Sequence, residues 1–343
     1  MIPPDTMTVI AITQPGGPEV LAPRREPLPA LGPGDILIRV AAAGVNGPDL
    51  AQRQGRYDPP PGASPLPGLE VAGEIAAIGA DVTGWHLGDR VMALTNGGGY
   101  AEYVAVPARQ ALPVPGGWDL IDAAALPETW FTITQTLVMR AGLAPGMNVL
   151  VHGAAGGIGG AAIQISTILG AKAIAITSSP EKAAYARSLG AVATIDSGGD
   201  IAARTLELTD GRGVDRIVDI IGGAMAQTNI AASARGGHIV QISTLDGGKA
   251  ELSLALLMAK QLTLSGSTLR PQSAETKATI AARIRADLLP ALDRPDCPRP
   301  RITRFALADA AAAHGVMQSR GHIGKIVLVT PFGAEHSYNL IAD

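Results

Sequence analysis

The sequence predicts an α/β chain in two parts, a β-rich portion folded as a small barrel or sandwich and a doubly wound parallel sheet. Three observations predict it. Up to about Leu126, short apolar runs are broken by Gly and Pro, as in antiparallel strands joined by tight turns. From about Glu128 the rhythm becomes apolar strand, helical segment, strand, repeated, which indicates a parallel sheet covered on both faces. Inside that second part, Gly153, Gly156 and Gly159 stand between two apolar runs, where a strand would turn sharply into a helix.

The elements follow in order. "GDILIRVAAAGVNG", "LEVAGEIAAIGADVTGWHLGDRVMAL" and "YAEYVAVPARQALPVPGG" read as strands of the first part. Gly73, Gly79, Gly84 and Gly88 fall at their breaks, where positive φ or close backbone approach is needed. The second part runs "NVLVHG", "GGAAIQISTILG", "AKAIAIT", "PEKAAYARSLG", "VATIDS", "IAARTLELTD", "VDRIVDIIGG", "MAQTNIAASA", "GGHIVQIST" and "KQLTLSGST", strands alternating with helices. Beyond Arg270 come a helical stretch and a segment ending in "IGKIVLVT", whose strand returns to the first part. The expected domains are therefore 1–127 with 271–343, discontinuous in sequence, and 128–270.

Composition narrows the function. A chain of 343 residues with 47% hydrophobic content fills two ordinary cores. Formal charge is −3 with signs mixed throughout, so no basic stripe for nucleic-acid phosphates is present. One cysteine, Cys297, excludes an internal disulfide and a multi-cysteine zinc site, and a reducing, cytoplasmic setting is expected. "MIPPDTM" lacks a basic region followed by an apolar core, so no secretory signal is expected there. Ala141 to Ala171 carries no charge, but Pro145-Gly146 and the glycine cluster divide it, so it reads as interior and not as a membrane span.

The glycine spacing, GxxGxxG, suits a turn whose backbone N–H groups and helix N-terminus face a dinucleotide's pyrophosphate. Ala154, Ala155 and Gly157 keep it small. About 20 residues on, an acid normally binds the ribose 2′-hydroxyl and would repel a 2′-phosphate. Here Thr177, Ser178 and Ser179 offer hydroxyls and Lys182 a positive charge, so NADPH is the expected cofactor. Lys182 is otherwise a solvated surface residue.

"GVNGPDLAQRQGRYDPPPGASPLPGLEVAGEI", then "GDRVMAL", "GGGYAEYV", "HGAAGGIGGAAIQ" and "IGKIVL" in this order resemble the zinc-free quinone oxidoreductase branch of the medium-chain dehydrogenase/reductase superfamily. The first of them is similar to the tumour-suppressor-inducible quinone oxidoreductase subgroup. The resemblance spans nearly the whole chain. It implies a GroES-like catalytic domain closed by the C-terminal segment, a Rossmann domain, and the nicotinamide in the cleft between them. Zinc-dependent relatives hold metal with an early Cys and a His-Glu pair; Asn46 and Leu69 stand at the Cys and His positions, and no metal is expected. Without a Lewis acid, hydride from NADPH suits an electron-poor acceptor, a quinone. Activated C=C bonds of enones or enoyl thioesters are the alternative acceptor, and a non-catalytic NADPH-binding protein is the alternative class.

By the same resemblance Asn46 and Tyr57 are the catalytic candidates, Asn46 as an amide donor and Tyr57 as hydrogen-bond or stacking partner; a plain aromatic lid is the other reading of Tyr57. Asp49 and Glu70 are expected to orient loops or meet backbone and cofactor. Cofactor contacts are expected from Asn46, Ala155, Gly156, Gly157 and Ile158, from Ser179 and Lys182 at the 2′-phosphate, and from Ser197, Ser243, Leu269 and Arg270. Thr129 approaches the nicotinamide or caps a helix. Arg270 supplies compensating charge or is solvated. Leu262 to Leu269 matches the outer strand through which relatives pair, so a homodimer is expected.

Overall fold

The structure, a computed structural model, describes residues 3–337. Met1, Ile2 and 338–343, at the ends of the expected first domain and of "MIPPDTM", lie outside the described residues. The strands in chain order are β1 (Thr6–Ile12), β2 (Leu21–Pro27), β3 (Asp35–Val45), β4 (Glu70–Ile78), β5 (Arg90–Leu94), β6 (Tyr103–Pro107), β7 (Ala111–Pro113), β8 (Asn148–Val151), β9 (Lys172–Thr177), β10 (Ala193–Asp196), β11 (Val214–Asp219), β12 (Ser233–Gln241), β13 (Thr263–Gly266), β14 (Ile302–Ala306) and β15 (Lys325–Val329).

They fall into two compact units: Met1–Phe131 with Arg270–Pro295 and Arg301–Asp343, and Thr132–Leu269 with Asp296–Pro300. Three segments lie elsewhere than the sequence boundaries put them, each with a visible cause. Residues 128–131 stay with the first unit, where the Glu128 N–H donates to Glu70 Oε2 at 2.8 Å. Arg270 joins it as well, its guanidinium donating to Gln52 Oε1 at 2.7 Å. Asp296–Pro300 go with the second unit, where Gln164 Nε2 donates to the Pro298 carbonyl at 2.7 Å.

In the first unit the main sheet has the order β14-β15-β3-β4-β5-β7, with β6 also on β3 and the β1-β2 hairpin apart. β3 is apolar on both faces because both are covered: Ile36, Ile38 and Val40 enter one core, and Leu37 enters a second with Met7 and Val9. The returning strand β15 lies antiparallel on β3, with Ile326 opposite Val45. β3, β4 and β15 are thus neighbours, and the C-terminal end of β3 meets the first residues of the other two.

In the second unit the order is β10-β9-β8-β11-β12-β13, all parallel. One register row crosses the whole sheet: Ala193, Ile174, Leu150, Ile217, Ile239 and Leu264. Burial explains the unbroken apolar runs, since Leu150, Ile174, Ile217 and Ile239 all lie in one core. Truncating Leu150 to Ala would cost about 2–5 kcal/mol. The uncharged stretch at Ala141 becomes β8 and the helix Gly157–Ile168, and among the described residues no helix is long and apolar enough to cross a membrane. The outer strand is shorter than Leu262 to Leu269, because its neighbour β12 ends at Gln241 opposite Gly266 and leaves no ladder partner beyond.

Candidate active site

Each unit carries a constellation of its own. In the second, the chain leaves β8 through His152–Gly156 and enters the helix Gly157–Ile168. Gly153 has φ +59°, and a Cβ at Gly159 would sit 2.5 Å from the Ala154 Cα, so both positions require glycine. Gly156 is the N-cap and brings no capping side chain. The Gly160 N–H returns to the Gly156 carbonyl at 2.8 Å, which leaves the Gly157, Ile158 and Gly159 amides without an intrahelical acceptor. A Cβ at Gly156 would meet only the Gly153 carbonyl, at 3.4 Å, so the space beside those amides is open. Donors, a positive helix end and no obstructing side chain fit a pyrophosphate.

Behind the loop, His152 Nε2 donates to Asn229 Oδ1 at 2.7 Å and Asn229 Nδ2 to Asp219 Oδ2 at 2.8 Å. The other oxygen of Asp219 accepts from Ile221 and Gly222 N–H. This buried chain ties the end of β8 to the end of β11. Burial pushes the His152 pKa down, which keeps the ring neutral.

At the end of β9, Ser179 caps the helix Pro180–Ser188, its Oγ accepting the Lys182 N–H at 3.3 Å, while Lys182 Nζ donates to Ser178 Oγ at 3.2 Å. Two hydroxyls and an ammonium are therefore gathered where an acid is missing. One acid escaped the sequence reading: Asp196 is paired with Thr177 in the β9–β10 register, exposed, and accepts the Gly198 N–H at 3.1 Å. Ser197 donates its N–H to the Thr177 carbonyl at 2.9 Å. Ala155 is buried in the turn, Leu269 is buried, and Ser243 follows β12 with its carbonyl accepting Gln241 Nε2 at 2.6 Å.

In the first unit the sheet order gathers residues far apart in sequence. Asn46 follows β3, Glu70 opens β4 and Lys325 opens β15. Asn46 Nδ2 donates to Glu70 Oε1 at 2.8 Å, and Lys325 Nζ donates to Asn46 Oδ1 at 2.6 Å and to Glu70 Oε1 at 2.5 Å. All three are buried. Gly44 makes room, since a Cβ there would lie 2.5 Å from the Glu70 Cδ. Asp49 accepts the Asn46 N–H and the Gly68 N–H, each at 2.9 Å. Asp49 and Glu70, expected to orient loops or meet backbone and cofactor, both accept backbone N–H groups. Leu69, at the position of an expected metal ligand in zinc-dependent relatives, is buried and apolar, and among the described residues no group of three or more His, Cys, Asp or Glu is placed to hold a metal ion.

Beside these lie Tyr57, Arg270 and Lys277. Arg270 sits 5.7 Å from the Tyr57 ring centroid, and its three nitrogens are engaged by the Asn96 carbonyl and Gln52 Oε1. Lys277 Nζ donates to Asn96 Oδ1 at 2.5 Å and to the Arg270 carbonyl at 2.7 Å. Arg270 is therefore a buried, bonded cation and not a solvated one. Thr129 is buried in this unit and donates its hydroxyl to the Leu126 carbonyl at 3.2 Å.

Burial, with neighbouring charge second, shifts these groups. Burial, then Glu70 and Asp49, push Glu128 up to about 8. Burial raises Asp49 to about 6 against the pull of its two N–H donors, and burial lowers Lys277 to about 8. Tyr57 is raised, by burial first and by Glu128 second. Lys325, Glu128, Lys277 and Asn96 were not singled out from sequence. The available signal was Lys325 itself, a lone charge opening an apolar strand.

Residues 32–116 match the alcohol dehydrogenase GroES-like domain and 157–284 the family described as zinc-binding dehydrogenase. A quinone oxidoreductase of Pseudomonas aeruginosa is 36% identical over 92% of this chain and 97% of its own length. The chain belongs to the quinone oxidoreductase branch of the medium-chain dehydrogenase/reductase superfamily. Members of this superfamily are oxidoreductases that bind NAD(P), and the two units are its GroES-like and Rossmann folds. A mycobacterial protein solved in complex with NADPH is 30% identical with a TM-score of 0.81, covering 94% of this chain and 100% of that one. The CurK enoyl reductase is 25% identical with a TM-score of 0.82, covering 96% and 100%.

Proposed function

We propose that this quinone oxidoreductase family member reduces quinones with NADPH and without a metal ion. The observation that carries the reading is the Asn46, Glu70 and Lys325 group beside the apolar Leu69, in which an amide and an aliphatic side chain stand where a Lewis acid would need thiolate and imidazole and an ammonium bonds the amide. A site so built favours acceptors that take hydride readily. The 2′-phosphate reading is supported by Ser178, Ser179 and Lys182 gathered at the end of β9, with the carboxylate of Asp196 turned to the Gly198 amide.

When bound, NADPH would supply the hydride. The amides of Gly157 and Ile158 would hold its pyrophosphate, and Ser179 and Lys182 its 2′-phosphate. Asn46 offers its remaining Nδ2–H to a carbonyl oxygen on which negative charge grows. Tyr57, half-buried under Arg270, offers a ring face and a hydroxyl to a flat acceptor. With the hydride delivered, one net proton from water completes the quinol.

NADPH oxidation measured across a quinone panel and across an enone and enoyl-thioester panel tests this; greater kcat/KM for the second panel would reject the quinone reading. Likeness to an enoyl reductase makes reduction of activated C=C bonds the second reading. A homodimer is inferred from β13, which ends its sheet, and from the exposed Leu254, Met258 and Leu264 beside it. Light scattering should show a dimer that Leu264→Lys converts to monomer; a monomeric parent protein would rule it out.

A further inference from the structure

We propose that Lys325 is a positioning residue whose ammonium, together with Glu70, locks the Asn46 amide in one orientation and strengthens its outward N–H as a donor. The proposal rests on the reading of Asn46 as the acceptor-side donor, and it adds how that donor is made.

An asparagine amide has two orientations related by a half-turn, differing in where oxygen and nitrogen lie. Here Oδ1 faces the Lys325 ammonium at 2.6 Å and Nδ2 faces the Glu70 carboxylate at 2.8 Å. The half-turn would set N–H against an ammonium and oxygen against a carboxylate, two repulsions in a buried place. Glu70 is itself pinned through Oε2 by the Glu128 N–H at 2.8 Å, so the reference frame does not rotate. One Nδ2–H goes to Glu70, and the other has no acceptor among the described residues. Charge pulled toward Lys325 from the amide oxygen leaves that second N–H more acidic, as linked hydrogen bonds polarise one another. Lys325 reaches the reaction only through Asn46, because its ammonium hydrogen-bonds to Asn46 and Glu70. It arrives from β15, 279 positions along the chain from Asn46.

Two measurements test this. The chain has asparagine at 46, 96, 148, 229 and 339, so ¹⁵N-asparagine labelling leaves few side-chain amide pairs, and Asn46→Ala identifies one of them. The Asn46 pair should be widely split in the parent and in Glu70→Gln, and should collapse toward solvent-exposed values in Lys325→Met/Glu70→Gln. That double variant removes both charges and keeps the site neutral where Lys325→Met alone fails to fold. In turnover with a quinone, the same double variant should lose about tenfold in kcat relative to Glu70→Gln, with the KM for NADPH changed less than about twofold. In an Asn46→Ala background, Lys325→Met/Glu70→Gln should cost nothing beyond Asn46→Ala/Glu70→Gln. An amide pair indifferent to Lys325, or losses that multiply in the Asn46→Ala background, would overturn the proposal. A parent enzyme that turns over no quinone would reject the reading of the reaction, while the amide signal would still decide the role of Lys325.

Discussion

The two units build their candidate sites in opposite ways. The second presents backbone: three amides of one helix turn, cleared of side chains by Gly153, Gly156 and Gly159, with a short Ser-Ser-Lys cluster nearby. The first presents side chains: Asn46, Glu70 and Lys325, with Asp49, Glu128, Arg270 and Lys277 packed around them. Backbone donors tolerate no atom in front of them but depend little on partners elsewhere. Buried charged side chains depend on one another, since removing one leaves its partner uncompensated at a cost of about 3–5 kcal/mol.

This contrast can be broken most forcibly at the glycines. Gly159→Ala should both unfold the loop and abolish nucleotide binding, because its Cβ meets backbone at 2.5 Å. Gly156→Ala has room and an ordinary φ, so its melting temperature should stay within a few degrees while NADPH affinity falls about a hundredfold, roughly 2.7 kcal/mol. Equal affinity of Gly156→Ala and parent, by calorimetry, would mean the amides do not face the phosphates. Lys182→Ala should weaken NADPH about tenfold and NADH hardly at all, as expected for one charged hydrogen bond; equal losses would remove Lys182 from the 2′-phosphate.

The smallest effect concerns pH. Glu128 titrates near 8 in the fold against an ordinary 4.5, so the folded state holds an extra proton between those values. Its contribution to stability is full below about pH 4.5 and is lost as pH rises through about 8. Asp49, raised from 3.8 to about 6, acts with the same sign over a lower window. Glu128→Gln should therefore flatten the decline in denaturant midpoint over the upper part of this range; an unchanged slope would mean that Glu128 is not held protonated.

How much was legible differs between the units for a physical reason. A strand-turn-helix with its glycines is local: the glycines, the apolar runs and the hydroxyls after β9 lie within Val149 to Lys182, so spacing alone reveals the turn. Asp196 was missed because its nearness to Thr177 arises only from strand pairing. In the first unit, Asn46 and Glu70 were found through a family pattern, but their partner Lys325 was not, because no local periodicity links the end of β3 to the start of β15. The segments that fall across the expected boundaries make contacts of the same long-range kind, Glu128 and Arg270 donating to Glu70 and Gln52 and Pro298 accepting from Gln164.

By itself, then, the sequence determined the two folds, their order and the glycine turn, all set by short-range hydrophobic period and by glycine's freedom of backbone. Only the tertiary structure decided which charges face one another. A carboxylate, an amide and an ammonium became one unit because three sheet neighbours end together, and electrostatic attraction acts on distance in space and not along the chain.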